Sequence, residues 1–119
     1  MRENKFDYLR IDGRKNLPDP WHDYPVLSDF ETVSVFRYQK DYLNVLVGLQ
    51  DGYWVAGITI QIEGFGAGFY PGRKWGQFAT RENAILWGLG YMFGCDKIKG
   101  AAQNAVRNMI NEIRKLSLF

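Results

Sequence analysis

The hydrophobic and polar positions between residues 33 and 62 follow the two-residue period of β-strands. Segment 33–38 is β-branched and aromatic, and segment 42–50 alternates apolar with polar side chains. Asp51 and Gly52 come next, a pair that is typical of a two-residue type I′ hairpin turn. These features predict a three-stranded antiparallel meander over residues 33–62.

The turn at Asp51 and Gly52 also predicts how the second and third strands pair. Every second pair in that register is apolar, as a half-buried hairpin requires. The predicted pairs are Gln50–Tyr53, Leu49–Trp54, Val47–Ala56, Val45–Ile58 and Leu43–Ile60. A preceding turn at Lys40 and Asp41 predicts three more pairs on the same face: Tyr38–Leu43, Phe36–Val45 and Ser34–Val47.

The opposite face of the predicted sheet is more apolar than contact with solvent alone favours. It carries Val33, Val35, Leu46, Tyr53 and Val55. Two explanations stay open. Either the N-terminal part of the chain covers this face, or another molecule does, including a second copy of the chain in a homo-oligomer.

Two helices are predicted after a glycine-rich and aromatic connection over residues 63–79, which leaves room for a short fourth strand. The first spans 80–94, with Thr80 as N-cap and Gly94 at its end. It is apolar nearly all round, and Gly88 and Gly90 indicate close approach to the strands. The second spans 96–117 and opens at Asp96. Its apolar positions at helical spacing are Ile98, Ala102, Ala105, Met109, Ile113 and Leu116.

These elements predict one α+β domain over residues 31–119, a size that suits a single core. A three- to four-stranded antiparallel meander is packed on one face by two C-terminal helices. Residues 1–30 contain three prolines that break helices, and they predict an extended arm. The aromatic residues of the arm favour packing on its own domain, with docking on a partner as the alternative.

Composition and motifs exclude several classes of function. The single cysteine, Cys95, forms no intramolecular disulfide, and the charged first residues lack a signal-peptide core, so we expect a cytoplasmic protein. The apolar run 84–95 is shorter than the roughly 20 residues that span a bilayer, which predicts no membrane partner. His22 and Cys95 are too few for a zinc site and too distant in sequence for a nucleophile–base pair. We therefore predict no metal, no cofactor and no enzymatic activity.

The glycine-rich segment 64–72 invites comparison with phosphate-binding loops but fits neither pattern. The dinucleotide fingerprint needs a third glycine where this chain has Phe69. A P-loop has lysine and then serine or threonine after its last glycine, whereas Gly72 is followed by Arg73 and Lys74. The segment is either a twisted connection or a flexible contact loop. Aromatic residues beside basic ones suit base stacking with phosphate contact, and they suit protein hot spots equally. The candidate binding residues of this loop are Phe65, Phe69, Tyr70, Arg73, Lys74 and Trp75.

Charge is divided unevenly along the chain, although the net charge is only +2. Residues 1–63 hold 7 basic and 10 acidic residues, whereas residues 64–119 hold 8 basic and 3 acidic residues. The polar stripe of the last helix is either a solvated face or a strip that faces phosphate or protein. The candidate basic contacts are Arg81, Lys97, Lys99, Arg107, Arg114 and Lys115.

The predicted order of elements, three strands followed by a glycine-rich turn and a helix, carries a resemblance. The helix opens with Phe78, Thr80, Arg81, Glu82, Ala84 and Ile85. Over residues 31–95 the chain resembles small double-stranded-RNA-binding-like domains of bacterial plasmid and phage proteins. The resemblance implies a β-β-β-α fold. The chain departs from this pattern in two places. The first helix of such domains is replaced by the proline-containing arm, and their basic cluster is reduced to Arg81, with Arg73 and Lys74 upstream.

In general character the chain is similar to phage and mobile-element accessory proteins, anti-CRISPR and other anti-defence inhibitors among them. The leading hypothesis is a small non-enzymatic binding protein, an inhibitor that acts on a nucleic-acid-processing complex through loop 64–76 and the basic C-terminal half. One alternative is a direct, sequence-independent RNA- or DNA-binding module. The other is a small-molecule-binding domain.

Overall fold

Four consecutive strands form one antiparallel sheet, and two helices pack on one of its faces. The computed structural model describes residues 4–11 and 25–116 of the chain. The strands, which lie in the order of the sequence, are β1 (Glu31–Tyr38), β2 (Asp41–Gln50), β3 (Tyr53–Ile62) and β4 (Phe65–Phe69). The helices are α1 (Arg81–Phe93) and α2 (Gly100–Leu116). The predicted α+β class, with its helices on one face of the meander, is confirmed.

The β2–β3 hairpin has the predicted turn and the predicted register. Asp51 has φ 55° and Gly52 has φ 83°, as a type I′ turn requires at its two central positions. All five predicted pairs are present, from Gln50–Tyr53 at the turn to Leu43–Ile60 at the far end. Leu43, Val45 and Val47 therefore all point into the core, where each is fully buried.

The predicted pairing of β1 with β2 is wrong. The turn residues are Gln39 and Lys40, so that Tyr38 pairs with Asp41, and a β-bulge interrupts the ladder between Ser34 and Phe36. The extra residue of the bulge moves the start of β1 to the other face of the sheet. The observed pairs on the helix side are Phe36–Leu43, Val33–Val45 and Glu31–Val47.

The outer face of the sheet is covered in part by the chain itself. Val33 and Val35 do not belong to it, because the bulge places both against the helix-side core. Leu46 and Val55 do, and both are buried. Leu27 packs over Gly48, the partner of Val55, and the backbone of Tyr70 and Pro71 packs over Gly57, the partner of Leu46. Tyr53, 44% exposed, is the remaining predicted residue of this face.

Helix α1 lies directly on the central strands. The Oγ1 atom of Thr80 accepts a hydrogen bond of 3.1 Å from the Asn83 amide, which confirms the predicted N-cap. A Cβ atom on Gly88 would lie 2.8 Å from Cγ1 of Val45, so glycine permits the close approach to β2. Gly90 serves a different contact than predicted, because Asn4 and Phe6 pack against it rather than a strand.

Helix α2 begins at Gly100, so the predicted start at Asp96 is wrong. The amide of Ile98 bonds to the Cys95 carbonyl over 3.2 Å, which makes residues 95–98 a turn. Ala102, Val106 and Ile110 form the buried spine of the helix. The predicted polar stripe is exposed: Asn104, Arg107, Asn108, Asn111, Arg114 and Lys115.

Part of the prediction lies outside the described residues. Residues 12–24 of the predicted arm, which include Trp21, His22 and Tyr24, belong to this part. So do the predicted end of the last helix at residue 117 and the packing of the Leu116 side chain. Within residues 4–11 the chain forms a short 3-10 turn, Asp7–Leu9. None of the helices in the described ranges has the length and apolar character needed to cross a membrane.

Candidate binding surface

The predicted contact loop 64–76 consists largely of regular structure. Strand β4 takes up its first half, paired with β3 from Ile62–Phe65 to Ile58–Phe69. A 3-10 turn, Arg73–Trp75, takes up the second half. Along an extended strand Phe65 lies about 13 Å from Phe69. The six loop candidates therefore do not form one cluster.

Phe69 and Trp75 meet two aromatic residues of α1. The ring centroids of Phe69 and Trp75 are 4.5 Å apart, and Tyr91 stands edge-on to Phe69 at 5.4 Å. Trp87 lies behind them, 6.0 Å from Phe69 and 6.1 Å from Tyr91. The Trp75 indole donates a hydrogen bond of 3.0 Å to the Tyr70 carbonyl, which fixes the ring in place. Tyr91 remains 44% exposed at the centre of this group.

The N-terminal segment 4–11 extends this surface. The Asn4 side-chain amide donates a hydrogen bond of 2.8 Å to the Trp87 carbonyl. The Trp87 indole in turn donates one of 2.9 Å to Oδ1 of Asp7. Phe6 is buried against Gly90 of α1. Residues near the start of the chain therefore lie beside the second half of α1.

Basic side chains lie over the rings of this surface. The Lys74 ammonium is 5.1 Å from the Trp75 ring centroid, and the Arg10 guanidinium is 5.3 Å from that of Trp87. Further along α1, Phe93 has Lys5 at 4.7 Å and Arg107 at 5.7 Å. Such cation–π contacts hold a cation in place without neutralising it. We call this surface the cationic aromatic face; it comprises Phe69, Trp75, Trp87, Tyr91, Phe93, Lys5, Arg10, Lys74 and Arg107.

Tyr70 and Arg73, two of the predicted loop residues, lie away from this face. The Tyr70 ring packs on Phe30 at 5.7 Å, on the outer side of the sheet. The Arg73 amide donates a hydrogen bond of 2.8 Å to Oε1 of Gln50, and its guanidinium lies 3.5 Å from the Asp51 carboxylate. Arg73 thus joins the loop to the β2–β3 turn.

The predicted basic residue Arg81 is held in an ion pair. Its Nε atom donates a hydrogen bond of 2.8 Å to Oε1 of Glu31, and its Nη2 atom one of 2.5 Å to Oε2. These hydrogen bonds lower the pKa of the Glu31 carboxyl and raise the pKa of Arg81, against the smaller effect of desolvation. The pair fixes the start of α1 to the start of β1 and leaves little net charge there.

The other predicted basic residues do not form a continuous strip. Lys97 and Lys99 are exposed between the helices, whereas Arg114 and Lys115 lie at the end of α2. The rise of an α-helix separates Gly100, which follows Lys99, from Arg114 by about 21 Å. Of the six predicted basic contacts, Arg107 is the one on the cationic aromatic face.

The sequence prediction missed Lys5, Arg10 and Tyr91 as surface residues. Lys5 precedes Phe6, and Arg10 follows Tyr8 and Leu9, so basic and aromatic residues are interleaved here as they are near Trp75. That local pattern was the available signal. Which ring each cation meets depends on contacts between residues 4–11 and 87–93, which no local pattern specifies.

Two other features of the described ranges bear on chemistry. A shallow groove of about 390 Å³ on the outer sheet face is lined by Phe30, Tyr42 and Tyr70 together with Arg37 and Asn44. Among the described residues, no three His, Cys, Asp or Glu side chains lie close enough together to hold a metal ion. Cys95 is half-buried beyond the end of α1.

The resemblance to double-stranded-RNA-binding-like domains stays a prediction. Compared with the profiles of known protein families, with curated protein sequences and with solved structures, the chain has no significant match.

Proposed function

We propose that this chain is a small non-enzymatic binding protein that acts on a nucleic-acid-processing complex, and that the cationic aromatic face makes the contact. The observation that carries the proposal is the exposed ring of Tyr91. It stands among Phe69, Trp75 and Trp87 with basic side chains at both ends of the group. Hot spots of protein interfaces are enriched in Trp, Tyr and Arg.

The rings of this face are held before any partner arrives. Trp75 bonds to the Tyr70 carbonyl and Trp87 to Asp7, and the Phe69 ring is packed between Trp75 and Tyr91. Side chains that are already fixed lose little rotamer entropy when they bind, and that loss costs roughly 0.5–1.5 kcal/mol for each freely rotating side chain. Preorganisation of this kind supports a recognition surface rather than a merely solvated one.

The charge of the face indicates the chemistry of the partner. Four basic side chains lie over its rings, and one of them, Arg10, is paired with the Asp7 carboxylate at 3.3 Å. A cationic surface selects carboxylate- or phosphate-rich partners and speeds their encounter. Nucleoprotein complexes and the enzymes that act on nucleic acids present such groups.

Direct, sequence-independent nucleic-acid binding has weaker support. It needs basic residues that follow a phosphate backbone. Among the residues that the structure describes, Arg81 is paired with Glu31, and Lys99, just before α2, lies far from Arg114 near its end, so these predicted contacts do not form such a track. The aromatic group at Tyr91 therefore favours a protein surface as the principal contact.

Comparative capture tests the proposal. Tagged wild-type protein, the double variant Lys74→Glu with Tyr91→Ala, and the control Lys99→Glu are incubated with a nuclease-treated extract of the source cell. The control makes the same charge change at an exposed lysine between the helices. We expect the wild type and the control to capture the same subunits of a nucleic-acid-processing complex, and the double variant to lose them at least tenfold. Equal capture by all three forms, or captured proteins unrelated to nucleic acids, contradicts the proposal.

A further inference from the structure

The two open edges of the sheet differ in how they are protected. β1 carries a bulge at Val35 and the charged residues Glu31 and Arg37, which are devices that discourage another strand from pairing. β4 reads Phe-Gly-Ala-Gly-Phe over Phe65–Phe69, without charge, proline or bulge. Its three central residues are exposed. β4 is therefore the unprotected edge.

The hairpin turn determines which backbone groups of β4 face outward. Glu63 has φ 48° and Gly64 has φ 84°, which makes a two-residue turn closed by the pair Ile62–Phe65. Hydrogen-bonded pairs alternate along an antiparallel ladder, so Phe65, Ala67 and Phe69 bond to β3. Gly66 and Gly68 then point their N–H and C=O groups away from the sheet. Within the described ranges no other backbone group bonds to these two glycines.

The sequence of β4 is a palindrome centred on Ala67. A second copy of the strand, antiparallel and related by a two-fold axis at Ala67, places Gly66 opposite the partner's Gly68. Two N–H and two C=O groups point outward from each strand. In this register they bond to the outward groups of the partner strand, which gives four hydrogen bonds. Phe65 lies opposite the partner's Phe69, and Ala67 lies opposite its own copy. The outward-facing groups and the palindrome are both centred on Ala67. A second copy of the chain matches this symmetry, whereas an unrelated peptide has no reason to do so.

Glycine at position 66 has no evident role within the monomer. A Cβ atom there would lie 3.1 Å from Oε1 of the flexible Gln61 side chain and 4.0 Å from the Ile60 carbonyl oxygen, and Gly66 has no positive φ. Gly68 differs, because a Cβ atom would lie 2.8 Å from the Ile58 carbonyl oxygen. Position 66 therefore offers a second strand an edge backbone with no side chain beside it.

We propose that a second copy of this chain docks on β4, so that two sheets join into one continuous eight-stranded antiparallel sheet. The interface is isologous, which closes the assembly at two copies. It lies at the strand edge rather than on the outer face that the sequence indicated. The proposal does not rest on the partner proposed for the cationic aromatic face, although the two surfaces share Phe69, which the dimer places opposite Phe65 of the second copy.

A charge swap at position 67 tests this register. Ala67 pairs with its own copy at a non-hydrogen-bonded position, where side chains are closest, about 4.5–5.5 Å between Cβ atoms. Ala67→Lys and Ala67→Glu each place like charges on the axis, and an equimolar mixture places opposite charges there. Sedimentation equilibrium at several hundred micromolar should give the wild type and the mixture a mass near twice 13.8 kDa. Each variant alone should dissociate at least tenfold more readily. The control Ala101→Lys, at an exposed position of α2, should behave as the wild type.

Amide hydrogen exchange on the wild-type protein provides a readout that needs no variant. The Gly66 and Gly68 amides should be protected at high protein concentration and exchange freely on dilution, while the β2–β3 amides stay protected throughout. Gly66→Pro, which removes an outward donor, should weaken the dimer and leave the circular dichroism spectrum unchanged. A monomer at millimolar concentration overturns the proposal. So does a dimer that tolerates Ala67→Lys, or a mixture that fails to restore association.

Discussion

The indole of Trp87 donates a hydrogen bond of 2.9 Å to the carboxylate of Asp7, across 80 positions of the sequence. The Trp87 side chain is buried, and the segment around Asp7 reaches it from outside the sheet and helices. This bond, together with the contact of Phe6 with Gly90, fastens residues 4–11 to α1. It thereby places Arg10 over the Trp87 ring.

Removal of the Asp7 carboxylate should destabilise the protein and loosen this segment. Asp7→Ala leaves the buried Trp87 N–H without its partner, which costs about 1–3 kcal/mol of unfolding free energy. Asp7→Asn keeps an acceptor and should lose less. Urea denaturation followed by tryptophan fluorescence measures both. Equal stability of the alanine and asparagine variants contradicts a role for the bond.

Gly88→Ala should destabilise the protein although alanine favours helices by about 1 kcal/mol relative to glycine. The new methyl group would lie 2.8 Å from Cγ1 of Val45, and overpacking of a core costs about 1–3 kcal/mol. Val45→Ala removes that conflict at the cost of a cavity. In a double-mutant cycle the pair should therefore couple favourably by at least about 0.5 kcal/mol. Purely additive effects contradict the proposed contact.

The β2–β3 register could be predicted from sequence because Asp51 and Gly52 specify a turn and the alternation fixes which side chains face inward. The β1–β2 register could not. Its turn uses Gln39 at φ 55°, a residue that carries no turn signal, and the bulge near Val35 reverses the face of the residues before it. One inserted residue was enough to move Val33 from the predicted outer face to the core.

The candidate surface was predictable only in part. The sequence indicated Phe69, Lys74 and Trp75, because aromatic and basic residues are interleaved there, and Arg107, because it lies on the polar stripe of the last helix. It did not group them with Tyr91, which lies in a helix that is apolar nearly all round, or with Lys5 and Arg10, which belong to the predicted N-terminal arm. Tyr91 meets Phe69 through the packing of α1 beside β4, and Lys5 and Arg10 reach Phe93 and Trp87 from segments more than 70 positions away. Side-chain periodicity carries no information about either kind of contact.

The ion pair of Glu31 with Arg81 should make the free energy of unfolding fall as the pH is lowered. Hydrogen bonds from Arg81 hold the pKa of the Glu31 carboxyl below its ordinary value of 4.5. A group with a lowered pKa in the folded state contributes stability above its unfolded pKa, and this is lost as pH falls through the folded value. Wild type should therefore be more stable than Glu31→Gln at pH 7, and the difference should shrink by pH 3. Urea midpoints at the two pH values measure it, and a constant difference contradicts the pair's contribution.

Gln39→Gly should stabilise the β1–β2 turn. Gln39 has φ 55°, where a side chain costs about 1–2 kcal/mol and glycine does not. Part of the gain is offset by the greater flexibility of glycine in the unfolded chain, so we expect roughly 0.5–1 kcal/mol. Lys40→Gly, at the neighbouring turn position without positive φ, is the matched control and should destabilise. Thermal unfolding measures both variants, and a loss of stability in Gln39→Gly contradicts the turn geometry.

We propose that the cationic aromatic face contacts the partner. Oxidative footprinting of the captured complex tests it most directly, since hydroxyl radicals label exposed Tyr and Trp side chains in place. We expect Tyr91 and Trp75 to be labelled in the free protein and protected in the complex, and Tyr38, 62% exposed at the β1–β2 turn, to be labelled equally in both. Unchanged labelling of Tyr91 and Trp75 in a complex that protects another surface would show that the partner binds elsewhere.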